Sequence, residues 1–311
     1  MGNKRVSAKT CASLLAISLI LPSPLWACAC GCGVFEVGTS ALLPEGRGST
    51  LFTQFSYLDQ TENWSGTSQA PAQDNEDRHI RTEFATLGLQ TMFDRRWGLR
   101  VELPYDQRHF ATLDDDTGEL ARFDHGQVGD IRISGIYDGF SADMSSGIQF
   151  GVKLPNGNWR VPGFDRDTQL GTGSTDILVG GYHQTHLGGA QSQWTGFAHA
   201  LLDVPVATRG GYRPGSEFNA AVGAYPDSWR VAGFLVTPTL QALVAYRRAD
   251  GGPDSDPDNT GYRRLMAMPG LELRRGHWRV AADFAAPLYQ NVRGNQLVAP
   301  WQFSLTLSIK L

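Results

Sequence analysis

Trp301-Gln302-Phe303-Ser304-Leu305-Thr306-Leu307-Ser308-Ile309-Lys310-Leu311 puts Trp301, Phe303, Leu305, Leu307, Ile309 and Leu311 on one side of an extended chain, and Gln302, Ser304, Thr306, Ser308 and Lys310 on the other. Successive side chains of a strand point to opposite faces, so this segment is wholly apolar on one face and wholly polar on the other. Such a division suits a strand with lipid as its outer solvent and water as its inner one. A single strand of a soluble sandwich reads the same way, so the number of such segments and their connections decide the matter.

Working back from that segment, period-2 stretches recur at 50–58, 81–93, 96–104, 127–138, 144–154, 173–184, 191–204, 216–226, 228–248, 260–275, 277–288 and 301–311. Their faces agree: Trp97, Leu99, Val101 and Leu103 oppose Arg100 and Glu102; Ile131, Ile133 and Tyr137 oppose Asp130, Arg132 and Ser134; Trp278, Val280, Ala282, Phe284 and Leu288 oppose Arg279 and Asp283. The connections sort by parity, long after odd strands (59–80, 105–126, 155–172, 205–215, 249–259, 289–300) and tight after even ones (94–95, 139–143, 185–190, 227, 276). Long loops on one side and tight turns on the other are the mark of an up-and-down barrel with extracellular loops and periplasmic turns. Closure is also required in lipid, because an open sheet would leave unpaired N–H and C=O groups along two edges. The predicted fold is therefore all-β, a transmembrane antiparallel β-barrel of about twelve strands. Trp97, Tyr137, Trp229, Trp278 and Trp301 fall near strand ends, where an interfacial girdle belongs. Pro238 and Pro269 fall inside strands and predict bulges or rims.

Composition removes other classes. The 311 residues carry a net charge of −4 with 19% charged residues, which gives nucleic acid no basic surface to bind. Beyond the N-terminus no stretch reaches the roughly 18 apolar residues of a spanning helix. At the N-terminus, Lys4, Arg5 and Lys9 precede an apolar run from Cys11 to Leu21, and Ala27 stands at a small-residue cleavage position. Residues 1–27 thus read as a signal peptide, 28–48 as a Cys-rich periplasmic or plug segment and 49–311 as the barrel, destined for the outer membrane of a Gram-negative bacterium, with lipid and lipopolysaccharide around it.

Three segments carry a family resemblance: Val128-Gly129-Asp130-Ile131-Arg132, Gly151-Val152-Lys153-Leu154-Pro155-Asn156-Gly157 and Leu170-Gly171-Thr172-Gly173-Ser174-Thr175-Asp176. Together they resemble the outer-membrane transporter family named after the meta-pathway of phenol degradation, with Asn156 in place of the family's usual Thr. The resemblance covers the middle of the chain and implies a porin-like role, tied in some members to hydrophobic or aromatic compounds.

The inward faces carry Arg100, Glu102, Asp130, Arg132, Lys153, Asp176, Glu272, Arg274, Arg279, Asp283 and Lys310, charges of both signs that either line a narrow pore for a small solute, an organic compound or a metal ion, or cross-pair and fill the lumen. Asp254, Asp256 and Asp258 imitate a calcium loop, but Asn259 occupies its glycine position and Leu265 its last ligand position, so they read as solvated loop. A lipase-like site would have only Ser192 and His199, with no third group to orient them, and the expectation is a non-enzyme.

Cys28, Cys30 and Cys32 point to one side of an extended segment. They suit a soft ion, Cu(I) or Zn(II), at the periplasmic mouth, where they would make the barrel a scaffold that binds metal or docks a periplasmic electron-transfer partner. Disulfide formation and lipidation of Cys28 are the competing readings. Elemental analysis of the refolded mature protein beside a Cys28/Cys30/Cys32→Ser variant separates them: the metal reading expects metal in the first and none in the second, and equal content removes it.

Overall fold

The computed structural model describes residues 42–44, 46–114 and 117–311. Twelve barrel strands follow one another: β1 (Gly48–Gln60), β2 (Asp77–Met92), β3 (Trp97–Leu113), β4 in two pieces (Leu120–Val128 and Arg132–Tyr137), β5 (Ser146–Lys153), β6 (Thr175–His186), β7 (Trp194–Ala207), β8 (Glu217–Pro226), β9 (Phe234–Arg247), β10 (Tyr262–Arg275), β11 (Trp278–Val298) and β12 (Gln302–Lys310). The twelve pair antiparallel with their chain neighbours, and β1 closes the circle by pairing with β2 on one side and β12 on the other, Phe55 opposite both Ala85 and Leu305; beyond the circle, the far end of β11 pairs with a short strand at Glu62–Gly66. No barrel edge is left to face lipid with unpaired backbone groups.

The opening segment behaves as its alternation demands. Gln302, Thr306 and Ser308 are buried in the interior, while Leu305 and Leu307 are exposed on the outside. The same holds around the wall: Leu87, Leu89, Leu99, Leu103, Ile133, Ile148, Phe150, Val152, Ile177, Val179, Val222 and Val244 form an exposed apolar band. In water such a band would be an aggregation surface; in hydrocarbon it is the matching one. Trp97, Tyr137, Trp194, Trp229 and Trp278 all flank tight turns, and Trp97 rests on Tyr137 at 4.7 Å between centroids. At the other end Trp301 stacks between Tyr57 (5.6 Å) and Phe284 (5.7 Å). The band therefore has an aromatic rim at each end.

Three expectations need correction. The connections predicted at 105–126 and 289–300 are mostly strand: β3 continues to Leu113, β4 resumes at Leu120 and β11 runs to Val298. These extensions lie beyond the apolar band, and their outer faces carry polar residues such as Gln107, His109, Asn291 and Arg293, so they show no apolar-outside alternation to read. Pro238 and Pro269 cause no bulge; the β9–β10 register runs through Pro238↔Leu271 and Leu240↔Pro269 without a shift. Pro238 lies past the last β8–β9 pair, Ala224↔Leu240, and the β10–β11 ladder skips Met268 and Pro269 while keeping its register. The real irregularities are at Pro205/Ala207, Leu265/Met266, Asp77/His79 and Val292/Asn295.

Pro104 shapes the most consequential break. In a strand the N–H and C=O of one residue point the same way, and Pro104 uses its carbonyl to accept from Gly129 N at 2.9 Å on β4. It therefore has no N–H to offer β4 at that point. The ladder stops there, and Gly129, Asp130 and Ile131 stand opposite only Leu103 and Pro104 between the pairs Tyr105↔Val128 and Glu102↔Arg132. Asp130 leaves the sheet and is buried inside the barrel.

Candidate functional site

The three segments that carried the family resemblance converge on Asp130. One carboxylate oxygen accepts from Gly157 N at 2.9 Å, and the other accepts from Thr172 N at 2.9 Å and from Thr172 Oγ1 at 2.5 Å. Gly157 and Thr172 belong to the connection between β5 and β6, so this carboxylate folds the whole connection inward. The approach needs glycine on both sides: a Cβ on Gly171 would stand 2.4 Å from the Gly157 carbonyl carbon, and one on Gly157 would stand 2.8 Å from Gly171 Cα.

Further attachments hold the same loop across the lumen. Arg108, on the extension of β3, donates to Thr168 O and, at 2.9 Å, to Thr82 Oγ1. Phe164 packs on Phe110 (5.7 Å) and Phe123 (6.0 Å). Arg166 donates to Thr172 O at 2.6 Å and lies over the rings of Trp159 (4.9 Å) and Tyr212 (4.1 Å). Tyr212 in turn donates to Asp250 at 2.5 Å, and Asp250 also accepts from Gly215 N (2.7 Å) and Arg247 (2.8 Å). Burial, and then the neighbouring Asp250 charge, holds the Tyr212 phenol well above its ordinary range, so it remains a donor. A chain of contacts thus links the connections after β5, β7 and β9 over the long-loop end.

Beneath this cover lies a chamber of about 210 Å³. Arg100, Glu102, Asp130, Arg132, Lys153 and Asp176 line it, as do Asp106, Arg108, Arg166, Asp203, Glu217 and Arg247, which sequence reading did not single out. Lys153 pairs with Asp176 and lies 3.6 Å from Asp203, and Arg100 pairs with Glu102 at 2.9 Å. One wall is apolar: Leu178 and Leu201 reach the chamber from a buried cluster that continues through Ala221, Leu243, Met266, Met268 and Ala285.

Of the other residues expected in the lumen, Arg274, Arg279 and Lys310 line a second chamber of about 190 Å³ at the tight-turn end. Glu272 lies 3.3 Å from Arg279, and Asp283 is buried opposite Gly270 without lining either space. Phe52 and Arg100 separate the chambers, the guanidinium 5.0 Å from the ring centroid. The ring occupies the place of a missing side chain, since a Cβ on Gly88 would stand 2.0 Å from Phe52 Cζ. An inward aromatic among polar neighbours was readable in β1, but its partnership with Gly88 was not.

His199 is buried on the lumen face, and Ser192 lies in the turn before β7, so the pair forms no outward-facing site. Among the described residues no group of three His, Cys, Asp or Glu side chains is placed to hold a metal, and Asp256 and Asp258 engage Asn259 and Arg293. Cys28, Cys30 and Cys32 lie outside the described residues.

Asp130→Ala would leave buried N–H donors unpaired at about 1–3 kcal/mol each, enough to free the loop. Limited trypsin digestion of the folded barrel should then cut after Arg166 at least about tenfold faster than in the parent, as a loss of about 1.4 kcal/mol in loop closure requires; equal rates would show that Asp130 does not hold the loop.

No protein-family model matches the chain, and no curated protein sequence matches it. Solved structures do. An outer membrane channel from Pseudomonas putida F1 is 11% identical and overlays with a TM-score of 0.64, covering 89% of this chain and 100% of that one. The β domain of the Bordetella autotransporter BrkA is 10% identical at a TM-score of 0.49, covering 85% and 100%, and the CymD monoaromatic hydrocarbon channel is 8% identical at 0.42, covering 86% and 89%. At these identities the first likeness shows the fold, and fold and surface together make the chain a β-barrel protein of the bacterial outer membrane.

Proposed function

We propose that the protein is an outer-membrane channel that passes a small solute through a narrow, mixed-charge lumen whose width is set by the inward connection between β5 and β6. The observation that carries this reading is the chamber of about 210 Å³ on the barrel interior. Side chains of a sealed structural barrel would fill that space. Here thirteen charged residues surround it, while the loop that narrows it hangs from one carboxylate at a break in β4. The overlay with an outer membrane channel and the three motifs that meet at Asp130 support the same reading.

The ionic lining fits a conduit better than an anchor. Lys153 reaches two carboxylates from different strands, Asp176 and Asp203, so a passing charged group can exchange for one partner without leaving the ammonium bare. An ion pair stripped of one partner in such a setting costs about 3–5 kcal/mol, so a charged solute passes by replacing a partner, and a neutral one passes only where it is small enough to leave the pairs intact.

Liposome swelling tests this directly. Vesicles carrying the protein should swell in isosmotic solutions of a pentose or a short-chain amino acid and stay unswollen in a trisaccharide, and Asp130→Ala should admit the trisaccharide. Vesicles that swell in none of these solutes, with either protein, would overturn the channel reading.

A further inference from the structure

Above the apolar band, at the long-loop end, the outer wall is not uniform around the barrel. Across β1–β4 its charges pair with one another: Arg81 lies 3.6 Å from Glu83, His79 meets Asp59 at 2.5 Å, and His109 meets Asp124. Across β9–β11 three exposed arginines take their place, Arg248, Arg263 and Arg293.

The register gathers these three. Arg263 of β10 stands opposite Tyr246 of β9 and Asn291 of β11, and its chain neighbours Tyr262 and Arg264 are buried inside, so its own side chain points outward. Arg248 continues β9 one residue past its end, its N–H donating to Ser216 O at 3.0 Å, and it shares the outer face with Tyr246. Arg293 follows the buried Val292 on β11, and its N–H donates to Gly261 O at 3.1 Å. Gly261 therefore stands between Arg248 and Arg293, in the row above Arg263. No side chain fits there: a Cβ on Gly261 would stand 3.0 Å from the Arg248 carbonyl carbon, and its φ of +92° favours glycine. With strands about 4.8 Å apart, Arg248 and Arg293 flank a gap two strand spacings wide, and Arg263 bounds it from below.

The contacts these arginines make leave them open to an anion. Arg263 lies 5.6 Å over the Tyr246 ring, an arrangement that occupies a guanidinium face and spares its N–H edge. Among the described residues neither Arg263 nor Arg248 meets a carboxylate. Arg293 bonds Asp258 at 3.0 Å, but the two side chains are 58% and 84% exposed, and so wet a pair exchanges easily. The other carboxylates of that connection are engaged elsewhere, Asp250 with Arg247 and Tyr212, Asp254 against Gly211 and Asp256 with Asn259. Just below the arginines, Phe218, Tyr246 and Tyr289 begin the lipid-facing surface.

Three guanidinium groups above an aromatic and aliphatic wall match a lipid whose headgroup carries phosphate. We propose that Arg248, Arg263 and Arg293 form a docking site for the phosphorylated glucosamine headgroup of lipopolysaccharide, with phosphate held by paired N–H donors and acyl chains lying along β8–β10. The site stands apart from the channel reading.

Native mass spectrometry of the detergent-folded barrel, titrated with diphosphorylated lipid A, tests it. The parent should retain the lipid, and Arg248→Gln/Arg263→Gln should weaken retention at least about tenfold. Asp258→Asn, which releases Arg293, should tighten it, and Arg122→Gln, an exposed arginine on β4, should leave it unchanged. Equal retention by the parent and the double variant would overturn the site. Dephosphorylated lipid A, or phosphatidylglycerol, held as tightly as the diphosphorylated lipid would overturn it as well.

Discussion

In hydrocarbon a backbone N–H or C=O has no water to turn to, so every one of them in the spanning region must find a partner within the sheet. Everything else in this molecule follows from the way β1 meets that demand, paired along its length with β2 on one side and with β12 on the other. Once the sheet is closed, each strand has one face in lipid and one in a lumen only twelve strands around. The outer face becomes the apolar band. The inner face must accommodate long charged side chains at close quarters, and it does so by pairing them, as Arg100 with Glu102 and Lys153 with Asp176.

At the β3–β4 seam the chain departs from the closed wall. Pro104 withholds a donor from β4, the ladder breaks, and Asp130 turns inward with both carboxylate oxygens available. A carboxylate buried at that point needs donors, and the connection between β5 and β6 supplies three of them from Gly157 and Thr172. A gap in the sheet is thereby converted into a constriction of the lumen. Arg166 and Tyr212 extend the same logic to the neighbouring loops, which Asp250 ties together.

The legible part of this fold is the part that touches lipid. Leu305 and Leu307 alternate with Thr306 and Ser308 because two solvents of opposite character impose the alternation, and that pattern reveals strand count, closure and loop parity. Residues 105–113, 120–126 and 289–298 are strands that rise clear of the band; with polar residues on their outer faces they lose the pattern and look like loops. The lining of the larger chamber was half legible for the same reason: Arg100, Arg132 and Lys153 lie under lipid-facing neighbours, whereas Asp106 and Arg108 lie on the extension of β3. The inward fold of the β5–β6 connection could not be read at all, since it depends on hydrogen bonds between residues up to 60 positions apart. What the sequence did offer was the three short motifs, whose common purpose becomes visible only when Asp130 is seen accepting from the other two.

The central claim is that a closed barrel encloses a conduit held narrow by one carboxylate. Single-channel recording of the purified protein and of Asp130→Asn tests it most directly, because asparagine keeps the size of the side chain and gives up half of its acceptors. The account predicts a small, steady conductance for the parent, and for the variant a larger one with frequent transitions between levels as the loop comes and goes. Silent bilayers for both proteins, or one identical conductance, would contradict it.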